Sequence, residues 1–298
     1  MERKIRSLQK EKNAVILAHY YQVPEVQAIA DYIGDSLELS RIARDSDADT
    51  IVFCGVRFMA ETAKILSPSK KVLIPEIIAG CPLAESVTPK QLAEAKAKHP
   101  DYAVVSYVNT NADVKAMSDV CCTSANAVSV VKNIDNDKII FVPDGNLGRY
   151  AAKNVPDKTI IPWHGSCYVH EIRANLHRVI QEREKYPDAL VLAHPECNEA
   201  VLDEADFIGS TSQIIKFAAE SESTEFIIVT ERGIEYMLNK RVPDKTFHFI
   251  KEMVCFNMKK ISLESVYYSL KDDKYEITLP DDIISRSAKA LNKMLDYS

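Results

Sequence analysis

Glycine is scarce in this chain, 8 of 298 residues, and with 13 prolines the sequence holds no low-complexity or fibrous segment. A basic excess is also missing. Lys and Arg number 37 against 43 Asp and Glu, a formal net charge of -6, which lacks the footprint that phosphate-backbone contact needs. No nucleic-acid partner is expected, although a local site can still be positive on an acidic protein and take a small anion. No apolar run approaches the ~18 residues of a membrane span, so no membrane partner is expected. The N-terminal stretch Met1-Glu2-Arg3-Lys4-Ile5-Arg6-Ser7-Leu8 is charged from its second residue and has no apolar h-region, so it does not read as a signal peptide, and a cytoplasmic location is expected. The 7 cysteines contain no Cys-x-x-Cys pair. An odd, widely spaced set in a reducing compartment favours metal binding or catalysis over a disulfide framework.

The composition that remains, 46% hydrophobic and 27% charged, is that of a soluble globular protein. The length predicts two or three domains. An amphipathic helix is expected over residues 1–12, followed by Ala14-Val15-Ile16-Leu17-Ala18-His19. A short continuous apolar run ending in a polar residue is the pattern of a buried parallel strand with a functional group at its carboxyl end. Similar phrases recur at Ala103-Val104-Val105-Ser106-Tyr107-Val108-Asn109 and at Ala189-Leu190-Val191-Leu192-Ala193-His194. The spacing of roughly 90 residues is too long for a solenoid and fits three copies of a globular unit.

Each first strand leads through a short helix to a small-polar pair, Asp35-Ser36, Thr123-Ser124 or Ser210-Thr211, where a helix is expected to start. A second strand follows at Ile51-Val52-Phe53-Cys54, Ile139-Ile140-Phe141-Val142 or Phe226-Ile227-Ile228-Val229, then a helix, then a third strand that runs into Cys81, Cys167 or Cys255. Alternating strands and helices imply parallel sheets with helices on both faces. The expected fold is α/β: three Rossmann-like three-layer α/β/α domains with pseudo-threefold symmetry, closed as a triangle around a central active site. Boundaries are expected at 1–86, 87–171 and 172–273, with 274–298 docking back on the first unit. A long helix over 171–186 opens the third.

Ligands bind at the carboxyl ends of strands in open α/β sheets, so inward-facing ends would pool residues from all three units. His19, Tyr21, Tyr107, Asn109, His194 and Glu196 sit at or just past the first strands, and are acid/base and hydrogen-bonding types. Glu196 is the leading general-base candidate. Ser36, Ser124 and Thr211 stand where helices start, and hydroxyls beside free N–H groups make anion sites when they are more than ordinary caps. Three loop cysteines could hold zinc with an open fourth position, could hold a [4Fe–4S] cluster with one iron lacking a protein ligand, or could be buried packing thiols. Cys54, Cys121 and Cys122 lie inside apolar runs and read as packing, and Cys197 breaks the repeat register.

The assembled segments resemble the quinolinate synthases over nearly the whole chain. They include Ala18-His19-Tyr20-Tyr21-Gln22, Gly34-Asp35-Ser36, Cys81-Pro82, Tyr107-Val108-Asn109, Pro143-Asp144-Gly145-Asn146-Leu147-Gly148, Cys167-Tyr168-Val169-His170, His194-Pro195-Glu196-Cys197, Gly209-Ser210-Thr211 and Asn257-Met258-Lys259. The resemblance implies an enzyme that condenses iminoaspartate with dihydroxyacetone phosphate to quinolinate, phosphate and water in de novo NAD biosynthesis. L-aspartate oxidase or aspartate dehydrogenase would supply the imine. It implies a [4Fe–4S] cluster on Cys81, Cys167 and Cys255 with one open iron. His19, Ser36, Tyr107, Asn109, Ser124, His194, Glu196 and Thr211 would bind substrate, and Ser210 and Met258 would line the same cavity. The catalytic set would be Glu196, Tyr21, His19, His194 and Tyr107, with Tyr21 and Glu196 transferring protons. Two departures from the family pattern stand out. No further cysteine follows Cys255 in Phe256-Asn257-Met258, so no regulatory disulfide is expected there, and Gly80-Cys81-Pro82-Leu83-Ala84 has different flanking residues. The rival readings are an iron–sulfur sensor or electron-transfer protein and a zinc-dependent lyase.

Overall fold

The computed structural model describes residues 1–297. Among the described residues, twelve strands form three separate sheets of four, all parallel. The first holds β1 (Ala14–His19), β2 (Tyr32–Gly34), β3 (Thr50–Cys54) and β4 (Lys71–Leu73). The second holds β5 (Ala103–Tyr107), β6 (Val120–Cys122), β7 (Lys138–Val142) and β8 (Thr159–Pro162). The third holds β9 (Leu190–Ala193), β10 (Phe207–Ile208), β11 (Glu225–Val229) and β12 (Thr246–Phe249). All three share one strand order. The first strand of each unit sits between its second and third, and the fourth is an edge: β2-β1-β3-β4, β6-β5-β7-β8 and β10-β9-β11-β12. The α/β class and the threefold recurrence read from the sequence therefore hold.

Burial on both faces explains why the central strands read as unbroken apolar runs rather than alternating ones. Ile16, Leu17, Val104, Val105, Val191 and Leu192 are fully buried. Register is parallel on both sides of β1, with Leu17 opposite Tyr32 in β2 and Phe53 in β3. Strand order reverses between the first and third strands of each unit, and crevices that bind ligands open at such switch points. The residues after β1, β5 and β9, and those after β3, β7 and β11, flank these three crevices.

Two helix starts behave as the small-polar pairs imply. Asp35 caps Ser36–Asp45 by accepting from Leu37 N and Glu38 N, and Ser210 caps Thr211–Glu220. The Thr123-Ser124 pair does not start a helix. Asn126 Oδ1 accepts from Thr123 N and Thr123 Oγ1, and the helix begins three residues later at Ala127. The expected helix over 171–186 is also interrupted. Val169–Arg173 forms a wide π-turn, and Asn175 Oδ1 accepts from Arg178 N to cap a new helix, Leu176–Lys185. Asn is a strong N-cap because its side chain competes for backbone donors, so it breaks the run.

The later chain ties units together. Helix Leu263–Asp272 packs on the N-terminal helix Glu2–Glu11 and on β3. The segment after it pairs with the end of β4: Tyr275 N donates to Ile74 O, Ile74 N to Tyr275 O, and Ile277 N to Val72 O. Helix Asp281–Asp296 then lies against Arg57–Leu66 of the first unit and against β6 and Ala112–Lys115 of the second. Buried Glu61 of the first unit accepts from Ala112 N of the second at 2.9 Å, and Trp163 Nε1 reaches Ser86 O at 3.3 Å. No helix among the described residues is long and apolar enough to cross a membrane.

Candidate active site

One cavity collects side chains from the switch points of all three sheets. Its wall includes His19, Tyr21 and Ser36 from the first unit, Tyr107, Asn109 and Ser124 from the second, and His194, Glu196, Thr211 and Met258 from the chain that follows. Cys81, Cys167 and Cys255 line the same cavity. Ser210 does not lie on this wall. It is fully buried, and its hydroxyl donates to Asp35 Oδ2 at 3.1 Å while capping its own helix, so it joins two helix N-termini behind the cavity.

Glu196 is the electrostatic centre. Tyr107 Oη donates to its Oε1 at 2.5 Å, and Asn109 Nδ2 lies at 3.4 Å from the same oxygen. His170 Nδ1 is 2.7 Å from Oε2, close enough for an ion pair but at an angle that falls short of a hydrogen bond. His194 Nδ1 is 4.0 Å from Oε2 and accepts from Glu196 N at 3.3 Å. Burial alone would push this carboxyl up. The adjacent His170, then His194 and the Tyr107 hydroxyl, outweigh burial and hold it below the usual carboxylate range.

The histidines have the opposite bias. Burial lowers His19 to about 4, opposed by Asp35 and assisted by Lys259. Burial lowers His194 to about 3, with His170 stacked on it at 4.5 Å between ring centres adding to the effect. At neutral pH both are neutral imidazoles, each able to accept through one nitrogen and donate through the other. Local geometry orients them: Tyr21 N donates to His19 Nδ1 at 3.1 Å, and His194 Nε2 pairs with Ser124 Oγ at 3.2 Å.

Tyr21 connects to Glu196 through a side-chain path. Its hydroxyl is 2.8 Å from Thr230 Oγ1, which is 2.9 Å from His170 Nε2, whose other nitrogen faces Glu196. Thr211 Oγ1 adds a hydrogen bond to Tyr21 Oη at 3.0 Å. Burial, reinforced by Glu196, raises Tyr21 and Tyr107 well above the ordinary phenol value, so both remain O–H donors. His170 and Thr230 were not evident as site residues from the repeat. His170 belongs to the Cys167-Tyr168-Val169-His170 run, and the π-turn returns its ring to the cavity. Thr230 follows β11, the other side of the switch point. Two residues past the third strands come Val56, Asp144 and Glu231, so an inspection of that equivalent position would have singled out two buried acids.

Burial pushes all three cavity cysteines up, Cys81 to about 12. Backbone N–H groups oppose the shift at each sulfur: Ala84 and Leu83 at Cys81, His170 at Cys167, Met258 and Asn257 at Cys255. Thiols so placed are neutral by themselves and become thiolates when a metal takes the proton's place. Cys54, Cys121, Cys122 and Cys197 are fully buried away from this wall. Among the described residues, Cys167, His170 and Glu196 form the one group of three whose potential ligand atoms lie within 4.8 Å of one another.

The profile of the family described as "Quinolinate synthetase A protein" matches residues 3–296. A protein named quinolinate synthase from Caldicellulosiruptor saccharolyticus is 52% identical over 299 residues, covering 100% of this chain and 98% of the relative. The quinolinate synthase of Aquifex aeolicus is 50% identical over 304 residues, covering 100% and 94%. That of Sulfurihydrogenibium sp. is 52% identical over 298 residues, covering 98% and 96%. With sequence, sheets and cavity residues all in this order along its length, the chain belongs to the quinolinate synthetase A family of enzymes.

Proposed function

We propose that this enzyme condenses iminoaspartate with dihydroxyacetone phosphate, giving quinolinate, phosphate and two waters, and so serves de novo NAD biosynthesis. An enzyme that oxidises aspartate, L-aspartate oxidase or aspartate dehydrogenase, would supply the imine. The observation that carries this reading is the meeting of three cysteine loops and the Glu196 network on one cavity wall. A sensor would need the thiols but not the acid/base ring.

The donor set fits a [4Fe–4S] cluster on Cys81, Cys167 and Cys255. A single tetrahedral zinc with bonds of roughly 2.3 Å gathers its sulfurs within roughly 4 Å of one another. The three loop sulfurs share a cavity without forming such a tight group among the described residues, which favours a larger inorganic core. When bound, the cluster supplies an iron without a protein ligand, a Lewis acid that polarises substrate oxygens.

The remaining work falls to side chains. Ser36 and Thr211, first residues of their helices, would bind carboxylate or phosphate together with helix N-terminal N–H groups. Neutral His19 and His194, with Asn109 and Ser124, would orient the substrates without adding charge. Asn109 Oδ1 is buried and has no protein partner, which leaves an acceptor for a ligand N–H or O–H. Glu196 would take a carbon- or nitrogen-bound proton, and the Tyr21–Thr230–His170 path would return protons to leaving hydroxyl groups. Contacts link each pair of units: Glu61 to Ala112, Tyr107 to Glu196, and Lys259 to Tyr21. These support a closed triangle that excludes water, and with it a hinge motion for substrate entry.

Protein purified anaerobically and supplied with both substrates should form quinolinate, detected by chromatography. Absence of product from brown, iron- and sulfide-containing protein would overturn the reading. The Cys167, His170 and Glu196 group favours a second reading, a mononuclear zinc lyase; colourless protein with stoichiometric zinc and full activity would establish it.

A further inference from the structure

Beside Tyr21, where Glu231 reaches the cavity wall, a buried carboxylate and a partly buried ammonium form an ion pair that the chemistry above does not use. Glu231 follows β11 and is fully buried. Its Oε1 accepts from Cys255 N at 2.9 Å, and its Oε2 accepts from Gly233 N at 2.6 Å. Lys259 Nζ stands 3.0 Å from Oε1 and 3.2 Å from Oε2. The same ammonium donates to the backbone carbonyl of Tyr21 at 2.5 Å. One carboxylate thus holds the peptide of a loop cysteine, and its counter-ion holds the peptide of the tyrosine in another unit.

The surrounding backbone is fitted to this arrangement. A Cβ at Gly233 would lie 2.6 Å from Tyr20 O and 2.6 Å from Tyr21 Cα. Gln27 Nε2 lies 2.9 Å from each of Tyr20 O, Gln22 O and Gly233 O, so it joins both sides of the seam. Buried ion pairs add little net stability, because desolvation offsets most of the attraction; what they fix is geometry. We propose that Glu231 and Lys259 are positioning residues that lock Tyr21 to the Cys255 loop, so that the proton-transfer hydroxyl and the third thiolate keep one spacing. The inference rests on the proposed roles of Tyr21 and Cys255. Misplacement of a reacting group by about 1 Å costs on the order of a hundredfold in rate, and loss of groups that orient metal ligands costs about 10- to 100-fold in metal affinity.

The test compares anaerobic holoenzyme with Glu231→Gln, Lys259→Met and the double variant, following chelator-driven bleaching of the visible absorption, the steady-state kinetics and the melting temperature. Both single variants should bleach about tenfold faster than wild type, with kcat lowered about tenfold or more and KM changed less. The double variant, which leaves no uncompensated buried charge, should melt nearer to wild type than Lys259→Met yet keep the fast bleaching and low kcat. If the single variants fail to fold, the double variant carries the test alone. Wild-type bleaching and kcat in the variants that fold, or recovery of both in the double variant along with its melting temperature, would overturn the proposal. Absence of quinolinate from wild type in the same assay would instead count against the proposed reaction, and the bleaching comparison would still decide the link from Glu231 to the Cys255 loop.

Discussion

The interiors of the three sheets and their carboxyl rims use the same residue types for opposite ends. Cys54, Cys121 and Cys122 lie on strands, fully buried, and are small apolar fillers. Cys81, Cys167 and Cys255 lie in loops, half-buried on a shared wall, each with backbone N–H groups turned toward its sulfur. Burial raises the thiol in both groups, so acidity alone does not separate them. Surroundings do: an apolar sheet interior has no spare donors, whereas a loop at a switch point offers N–H groups and space. The rim is therefore built for chemistry at some cost in stability, and the interior for stability alone.

Exchanging cysteines on the two sides of that divide should give the largest effect. Cys167→Ala should lose the iron–sulfur absorption and all detectable quinolinate formation, while Cys122→Ala should keep both. Equal cluster content in the two variants would erase the distinction. Glu196→Gln removes the rim's central charge but little volume, and kcat should fall by about 10²–10⁴ with the cluster spectrum and melting temperature nearly unchanged. An interior change should do the reverse. Ile16→Ala in β1 should cost about 2–5 kcal/mol in denaturant unfolding. It should leave the turnover of the folded fraction close to wild type.

The rim should also show its cost in acid. His19 and His194 are held neutral at about 4 and about 3 in the folded chain. Unfolded, each titrates near 6.5, so between that value and the folded one the unfolded chain binds more protons, and stability falls as pH falls. The expected loss is on the order of 1 kcal/mol per pH unit for each histidine below about pH 6.5. Melting curves of wild type and of His194→Gln between about pH 7 and about pH 5 should show a shallower slope in the variant. Parallel slopes would mean that His194 is not held neutral by the fold.

The interior and the first-strand rim are legible in the sequence because repetition makes them so. A continuous apolar run ending in a polar residue, met three times, locates β1, β5 and β9 and the groups after them. The rest is carried by features without a repeat. Asn175 starts a new helix by side-chain capping and Asn126 holds a turn by accepting from Thr123, local bonds that a hydrophobic pattern does not encode. His170 returns to the cavity through a π-turn whose period differs from the one used to assign faces. Glu231 has a matching buried acid in Asp144 of the second unit but only Val56 in the first, so alignment of the copies gives it a partial signal, and it gives none for Thr230, whose counterparts are Gly55 and Pro143. Lys259 lies far from Tyr21 in the chain, and only the fold brings its ammonium to that carbonyl.

We propose that one loop cysteine from each unit contributes to a single iron–sulfur centre. It is tested most directly by iron and sulfide analysis of anaerobically purified protein, wild type beside Cys81→Ala, Cys167→Ala and Cys255→Ala. Equal amounts of iron and sulfide with a brown colour are expected in wild type, and loss of both in each variant. A variant that retained the wild-type iron, sulfide and quinolinate formation would contradict it.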